Sequence, residues 1–207
     1  MFFHIAPLLI GLMKLFIITL LFCTLAQAQN LYKDCPPGGD AKTMAIRKID
    51  TLKNKNMFPV STKKITFSTM SRYKFHQVIS SDAVEVTAYV FNVTPGGVES
   101  CNCHMRDQED RDTHITLTPD AKHTTAKYRI IAEVTPRFRA MMKAKGIDWS
   151  TSNLKKMLIH KKIKISGWLF ADTEHTNATE ADRPGALHNW RASILEVHPV
   201  TMIEVVK

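Results

Sequence analysis

The sequence predicts a mostly β protein: a five-stranded barrel of Greek-key connectivity, with short helices between the third and fourth strands and a helical arm ahead of the first. Three observations carry that expectation. From Lys64 onward, apolar residues recur with a period of two in successive segments. Between the third and fourth of these the period turns helical, over a stretch begun by Pro136 and closed by Gly146 and a second one begun by Ser150 or Ser152. With 207 residues the chain is long enough for one domain with a proper core.

The chain opens on an apolar block. Within it, Met13 and Lys14 precede an uncharged run from Leu15 to Leu25, followed by Ala26-Gln27-Ala28. A positive residue, an apolar run and an A-x-A site in that order read as a secretory signal peptide cleaved after Ala28. The run is shorter than the ~20 residues of a spanning helix, and bulky Phe22 before Cys23 argues against a lipid anchor. Residues 1–28 are thus the expected signal, 29–63 an arm with a helix and a linker, and 64–207 the barrel domain.

In the arm, Pro36-Pro37-Gly38-Gly39 interrupts regular structure. Asp40 is positioned to cap a helix over Ala41 to Lys53, with Ala45, Ile49 and Leu52 on one side. Asn54 to Lys64 reads as linker. Ile65 and Phe67 begin a short strand, and Phe75 to Ile79 form either another or the start of the long one. There Val84, Val86, Ala88 and Val90 alternate with Glu85, Thr87 and Tyr89. Ile115 and Leu117 alternate with His114, Thr116 and Thr118 in the next strand. Tyr128, Ile130, Ala132 and Val134 alternate with Arg129 and Glu133 in the third. Phe138, Met141 and Met142 give the first intervening helix an apolar side, and Leu154, Met157 and Leu158 do so for the second. Ile163, Ile165 and Leu169 mark a fourth strand in which Gly167 suggests a bulge or bend. Residues 171–190 read as a long polar loop. Ala192 to Val206 form the fifth strand, where Pro199 points to an edge position or a bulge.

The formal charge of +9 falls to +8 once the signal, whose one Lys or Arg is Lys14, is removed. In an exported protein that surplus biases partners towards nucleic acid, anionic glycans or phospholipid head groups, or it is simply a lysine-rich soluble surface. Three cysteines follow the signal: Cys35, Cys101 and Cys103. Export implies an oxidising compartment, and an odd number allows one internal bridge. A bridge between Cys101 and Cys103 would close a very tight ring. Cys35 is therefore expected to join one of them, with Cys101 the assigned partner, which would staple the arm to the central loop.

That central loop, between the first two barrel strands, concentrates chemistry-bearing groups: Cys101, Cys103, His104, Asp107, Asp110, Asp112 and His114. Thiolate, imidazole and carboxylate together suit a borderline ion such as zinc. Cys103, His104, Asp112 and His114 are the expected ligands, although their spacing matches no standard zinc pattern. Asp107, Asp110 and Asp112 would suit calcium, without the Gly and Glu of an EF-hand. The competing reading is a solvated acidic loop beside a disulfide. A second group, Asp172, Glu174, His175, Arg183, His188, Arg191 and His198, flanks the fifth strand. His175 is the candidate general base and Arg191 the candidate anion stabiliser. His198, before a proline in an apolar strand, reads as a hydrogen-bonded core histidine. Tyr89, Arg129, Trp168 and Trp190 are candidate ligand contacts, through stacking faces and a guanidinium. No nucleophile elbow, zinc-protease helix, phosphate loop or dinucleotide fingerprint is present, which favours binding over catalysis.

The order strand, strand, strand, helix, strand, strand over about residues 64–206 resembles that of exported OB-fold-like domains; a mixed α+β sandwich is the alternative. The resemblance implies a ligand site across the second and third strands and their neighbouring loops, of the kind that takes oligonucleotides or oligosaccharides. It also implies that the loops before the second and fifth strands open on one side, bringing Asp112 near His175. The expectation is a secreted or periplasmic binding module for an anionic or polymeric ligand, single-stranded nucleic acid or an anionic glycan. A metal-dependent phosphodiester hydrolase and a structural domain of the cell envelope are the alternatives.

Overall fold

The computed structural model describes residues 32–74 and 82–206. The expected signal peptide and the segment Phe75 to Ile79 lie outside them. Helix α1 (Met44–Lys53) forms the arm, and a two-residue strand β1 (Lys63–Lys64) leads into a single helical turn, α2 (Phe67–Ser71). The barrel strands are β2 (Ala83–Pro95), β3 (Thr113–Thr118), β4 (Ile130–Val134), β5 (Lys162–Ala171) and β6 (Leu195–Val205). Helices α3 (Pro136–Ala144) and α4 (Thr151–Leu158) separate β4 from β5.

The strands run in the order β2-β3-β4-β6-β5, and β5 pairs back onto β2, closing the barrel. β4 and β6 are parallel while the other barrel pairs are antiparallel. This is the OB-like connectivity. One strand serves two neighbours because β2 is long: its first half faces β5, its second half faces β3, and Tyr89 pairs with both. A register slip between Val90 and Asn92 turns the strand between those duties and restores Val93 to the core.

The predicted alternation holds. Val84, Val86, Ala88 and Val90 point inward with Ile115, Leu117, Ile130, Ala132, Val134, Ile163, Ile165 and Val197. Leu154 and Leu158 of α4 and Phe138 of α3 join the same core. Thr135 caps α3 and Ser150 caps α4, each hydroxyl accepting a backbone N–H one turn on.

Several boundaries differ from expectation. The arm helix is capped by Thr43, whose hydroxyl accepts from the Ile46 amide, so it starts later than an Asp40 cap would place it. Ile65 and Phe67 are not a strand: the Thr66 hydroxyl accepts from the Thr69 amide and starts α2 instead. Of the two readings of Pro199, the bulge is the one found: β6 lies between β4 and β5, and its register with β5 shifts between Val197 and Val200. The ladder slips on either side of Gly167, and a Cβ there would stand 2.3 Å from the Pro199 carbonyl.

The disulfide joins Cys35 to Cys103 and leaves Cys101 as a buried free thiol. The assignment to Cys101 is thereby corrected, and Cys103 is removed from the candidate metal ligands. Cys103 sits in the left-handed region with φ 49°, which turns its side chain towards the arm while Cys101 stays against the barrel. The bridge spans 68 residues of sequence. Replacing both cysteines by serine is expected to lower unfolding free energy by about 4 kcal/mol, the chain-entropy value for a loop of that length, as read by urea unfolding. Gly167→Ala should cost about 2 kcal/mol or more in the same assay, because backbone stands where its methyl would go.

Candidate functional site

The inward residues of β3, β4 and β6 are apolar, so by strand alternation His114, Glu133, Glu196 and His198 project from the opposite, outer face of the barrel wall. His114 and Glu133 are cross-strand partners in the β3–β4 register. That face is nevertheless buried: Glu133 is 5% exposed, Glu196 1% and His198 1%. The arm and the central loop lie over it as one cover.

The cover is tied together by polar contacts. Lys53 of α1 reaches Glu99 of the loop at 2.8 Å, and Ser100 donates to Asp50 at 2.8 Å. The Asn54 amide donates to the carbonyls of Pro37 and Cys101. Gly39 has φ +60°, and a Cβ there would lie 2.0 Å from the Ser100 carbonyl, so only glycine lets the arm pack this closely on the loop. Two buried arginines of α3 fasten the cover to the barrel. Arg137 donates to the carbonyls of Cys35 and Pro36. Arg139 donates to Thr113 and to loop carbonyls, and pairs with Glu109.

Beneath the cover lies a connected polar core. His198 Nε2 stands 3.7 Å from Asp112 Oδ2, and its Nδ1 stands 3.2 Å from Glu196 and 3.4 Å from Glu133. His114 Nε2 is 3.1 Å from Glu133. Glu196 pairs with Arg191 at 2.7 Å, Arg191 with Asp172 at 3.1 Å, and Asp172 with His175. The chain of contacts therefore runs from Asp112 to His175. The loops before β3 and β6 do meet on one side, and Lys53 bridges them through Glu99 and Glu174.

The electrostatics follow from burial. Desolvation pushes the Glu133 carboxyl well up, helped by Glu196, Asp112 and Glu99. Burial also pushes Glu196 up, but Arg191 and His198 outweigh it and hold that carboxyl down at about 2. The Lys53 ammonium is kept charged, because its neighbours, led by Glu99, overcome the burial that would discharge it. Burial raises the Cys101 thiol and lowers His114.

Of the expected metal ligands, Asp112 and His114 belong to this core. His104 does not: it is exposed and paired with Asp40 at 2.8 Å. Arg191 is 1% exposed and held by Glu196 and Asp172, so it faces no open cleft. His175 is half-buried, held by Asp172, with its ring edge-on to Trp190 at 5.8 Å. Asp110 is engaged by Tyr32 and Lys33. Glu99, Glu133, Glu196, Lys53 and the buried thiol of Cys101 were not anticipated as a group. Glu196 alone carries a sequence signal, in Glu196-Val197-His198, polar residues on one parity in an otherwise apolar strand.

The candidate ligand contacts are dispersed. Tyr89 pairs with Lys162 and Trp168 with Ala83, at opposite ends of the β2–β5 ladder, about 20 Å apart at strand rise. Arg129 lies over the Phe91 ring at 4.7 Å. Trp168 is set in concave surface. It lines a groove of about 280 Å³ with Ile49, Leu52, Lys55 and Phe170, with His198 at its inner wall, and an adjoining one of about 540 Å³ with Val60, Lys63 and Asp82. The Lys55 ammonium lies 3.9 Å from its ring centroid.

No protein-family model, curated protein or solved structure matches this chain. Fold and site define its class: an OB-like barrel whose outer face carries a buried polar core under a disulfide-tied cover.

An acid whose folded pKa is raised contributes stability that is full below its ordinary value and is lost as pH rises through the folded one. Glu133 behaves this way. His175, raised by its bond to Asp172, acts in the same sense at higher pH. Glu196 acts oppositely, and its contribution is lost only in strong acid near about pH 2. In chelator, Tm is expected to fall as pH rises from the ordinary carboxylate range into the alkaline range. Glu133→Gln should flatten that fall and raise Tm at the alkaline end by about 2–4 °C. A wild-type Tm that climbs across this interval would contradict the assignment.

Proposed function

We propose that this protein is an exported OB-like binding module that takes an anionic polymer bearing stackable rings, single-stranded nucleic acid or an anionic glycan, across Trp168. The observation that carries the reading is that one half-buried indole forms a wall of two adjoining grooves, each with a lysine, Lys55 in one and Lys63 in the other. Successive rings of a polymer need such a repeated, sequence-tolerant surface, and anionic groups between the rings need nearby ammonium groups. The indole is well fixed, since Trp168 Nε1 donates to the Met57 carbonyl at 3.1 Å. Export is supported by the Cys35–Cys103 bridge, which persists in oxidising compartments. No helix among the described residues is long and apolar enough to cross a membrane.

Titration of the protein with a fluorescent oligothymidylate and with a sulfated oligosaccharide tests this reading and separates the two polymers. The expected result is saturable binding to one of them that weakens as salt rises. Trp168→Ala should weaken it roughly tenfold or more, the loss of about 1–3 kcal/mol of stacking. Binding that is indifferent to Trp168→Ala, or no binding to either polymer, would refute the proposal.

A further inference from the structure

We infer that the buried polar core is a binding site for one divalent cation of the zinc class, centred on Asp112, with His198 and Glu133 on one side of that carboxylate and Cys101 and Glu99 on the other. One donor atom each from Asp112, Glu133 and His198 lies within 4.8 Å of the other two, and the same is true of Glu99, Cys101 and Asp112. Asp112 is common to both sets.

Unsatisfied donors and acceptors point to a ligand. Asp112 is 3% exposed and His198 1%, yet Asp112 Oδ1 and His198 Nε2 have no hydrogen-bond partner among the described residues. Buried polar atoms left in that state are rare in folded proteins. The separations agree with coordination. His198 Nε2 to Asp112 Oδ2 is 3.7 Å, Cys101 Sγ to Asp112 Oδ2 is 4.0 Å, and Cys101 Sγ to Glu99 Oε2 is 3.5 Å. The His198–Asp112 separation is longer than a nitrogen–oxygen hydrogen bond, about 2.7–3.2 Å, while the Cys101 thiol stands within weak hydrogen-bond reach of both carboxylates. Two ligands at ordinary zinc bond lengths and a tetrahedral angle stand about 3.4–3.6 Å apart, so small movements would close the shell.

The orientation of His198 matches a metal-bound imidazole. Its Nε2 faces Asp112, while its Nδ1 faces the carboxylate of Glu196, which Arg191 holds in place, and that of Glu133. A carboxylate behind the far ring nitrogen is the usual support of a metal-ligating histidine. Charge argues the same way. Glu99 is paired with Lys53 and Glu196 with Arg191, while among the described residues the short ion pairs of Asp112 and Glu133 are with the two histidines, Lys53 and the arginines of α3 acting on them from further off. A dication would neutralise both carboxylates. Nitrogen, sulfur and oxygen donors together favour zinc over calcium or magnesium, which take oxygen alone. The burial that hides this core from a polymer leaves it compatible with an ion seated as the cover closes.

The test is made on the purified, disulfide-bonded protein after chelation and re-exposure to zinc chloride. The expected result is one zinc per chain retained through gel filtration, with Tm raised by about 5 °C or more at a hundredfold excess over Kd. Asp112→Asn, which keeps the side-chain volume, should abolish retention and the Tm shift. Cys101→Ser and Glu133→Gln should each weaken binding tenfold or more. Unmodified protein that retains no zinc and whose Tm ignores it would overturn the inference. Equal retention by wild type and Asp112→Asn would overturn it too, because the ion would then sit elsewhere. The wild-type titration decides the matter even if a variant fails to fold.

Discussion

Holding the carboxylates of Asp112, Glu133 and Glu196 away from water against the outer wall of a barrel would cost several kcal/mol for each unpaired ion. The wall must therefore be covered by something that brings opposing charge. Lys53 comes from the arm and Arg191 from the segment before β6, and each enters with most of its surface buried. The arm, the central loop and the loop before β6 are placed where they are because these charges have to meet.

The position of the cover is set by directed bonds: the Cys35–Cys103 bridge, the two carbonyls taken by Asn54, and the Arg137 and Arg139 contacts from α3. Directed bonds fix geometry more narrowly than hydrophobic contact does. The segment between β4 and β5 thus has two duties, since Phe138 and the leucines of α4 fill the barrel while the arginines of α3 fasten what lies outside it.

This arrangement separates a buried polar wall from open concave surface. The outer wall of β3, β4 and β6, which includes the two strands expected to meet a polymer, is buried beneath the arm and the central loop. Open concave surface lies beside it, where Trp168 at the end of β5 meets the linker that follows α1. His198 joins the two regions, as it belongs to the polar core and also forms the inner wall of the smaller groove.

The sequence by itself determined the barrel. Val84, Val86, Ala88 and Val90, and their counterparts in the other strands, carry a period of two that holds only if one face is buried, and the helical interval between β4 and β5 fixed the connectivity. It also limited the cysteines to one internal bridge. It could not choose between Cys101 and Cys103, because that choice depends on which way the chain turns at Cys103. Nor could it gather the polar core. Glu133 alternates like a solvated strand residue, and Lys53 ends a helix where a lysine is ordinarily wet. Only the tertiary structure lays the arm over the outer wall, and with it decides that these charges are buried and share one site. Burial of that kind depends on groups far apart in the chain, and local periodicity carries no record of them.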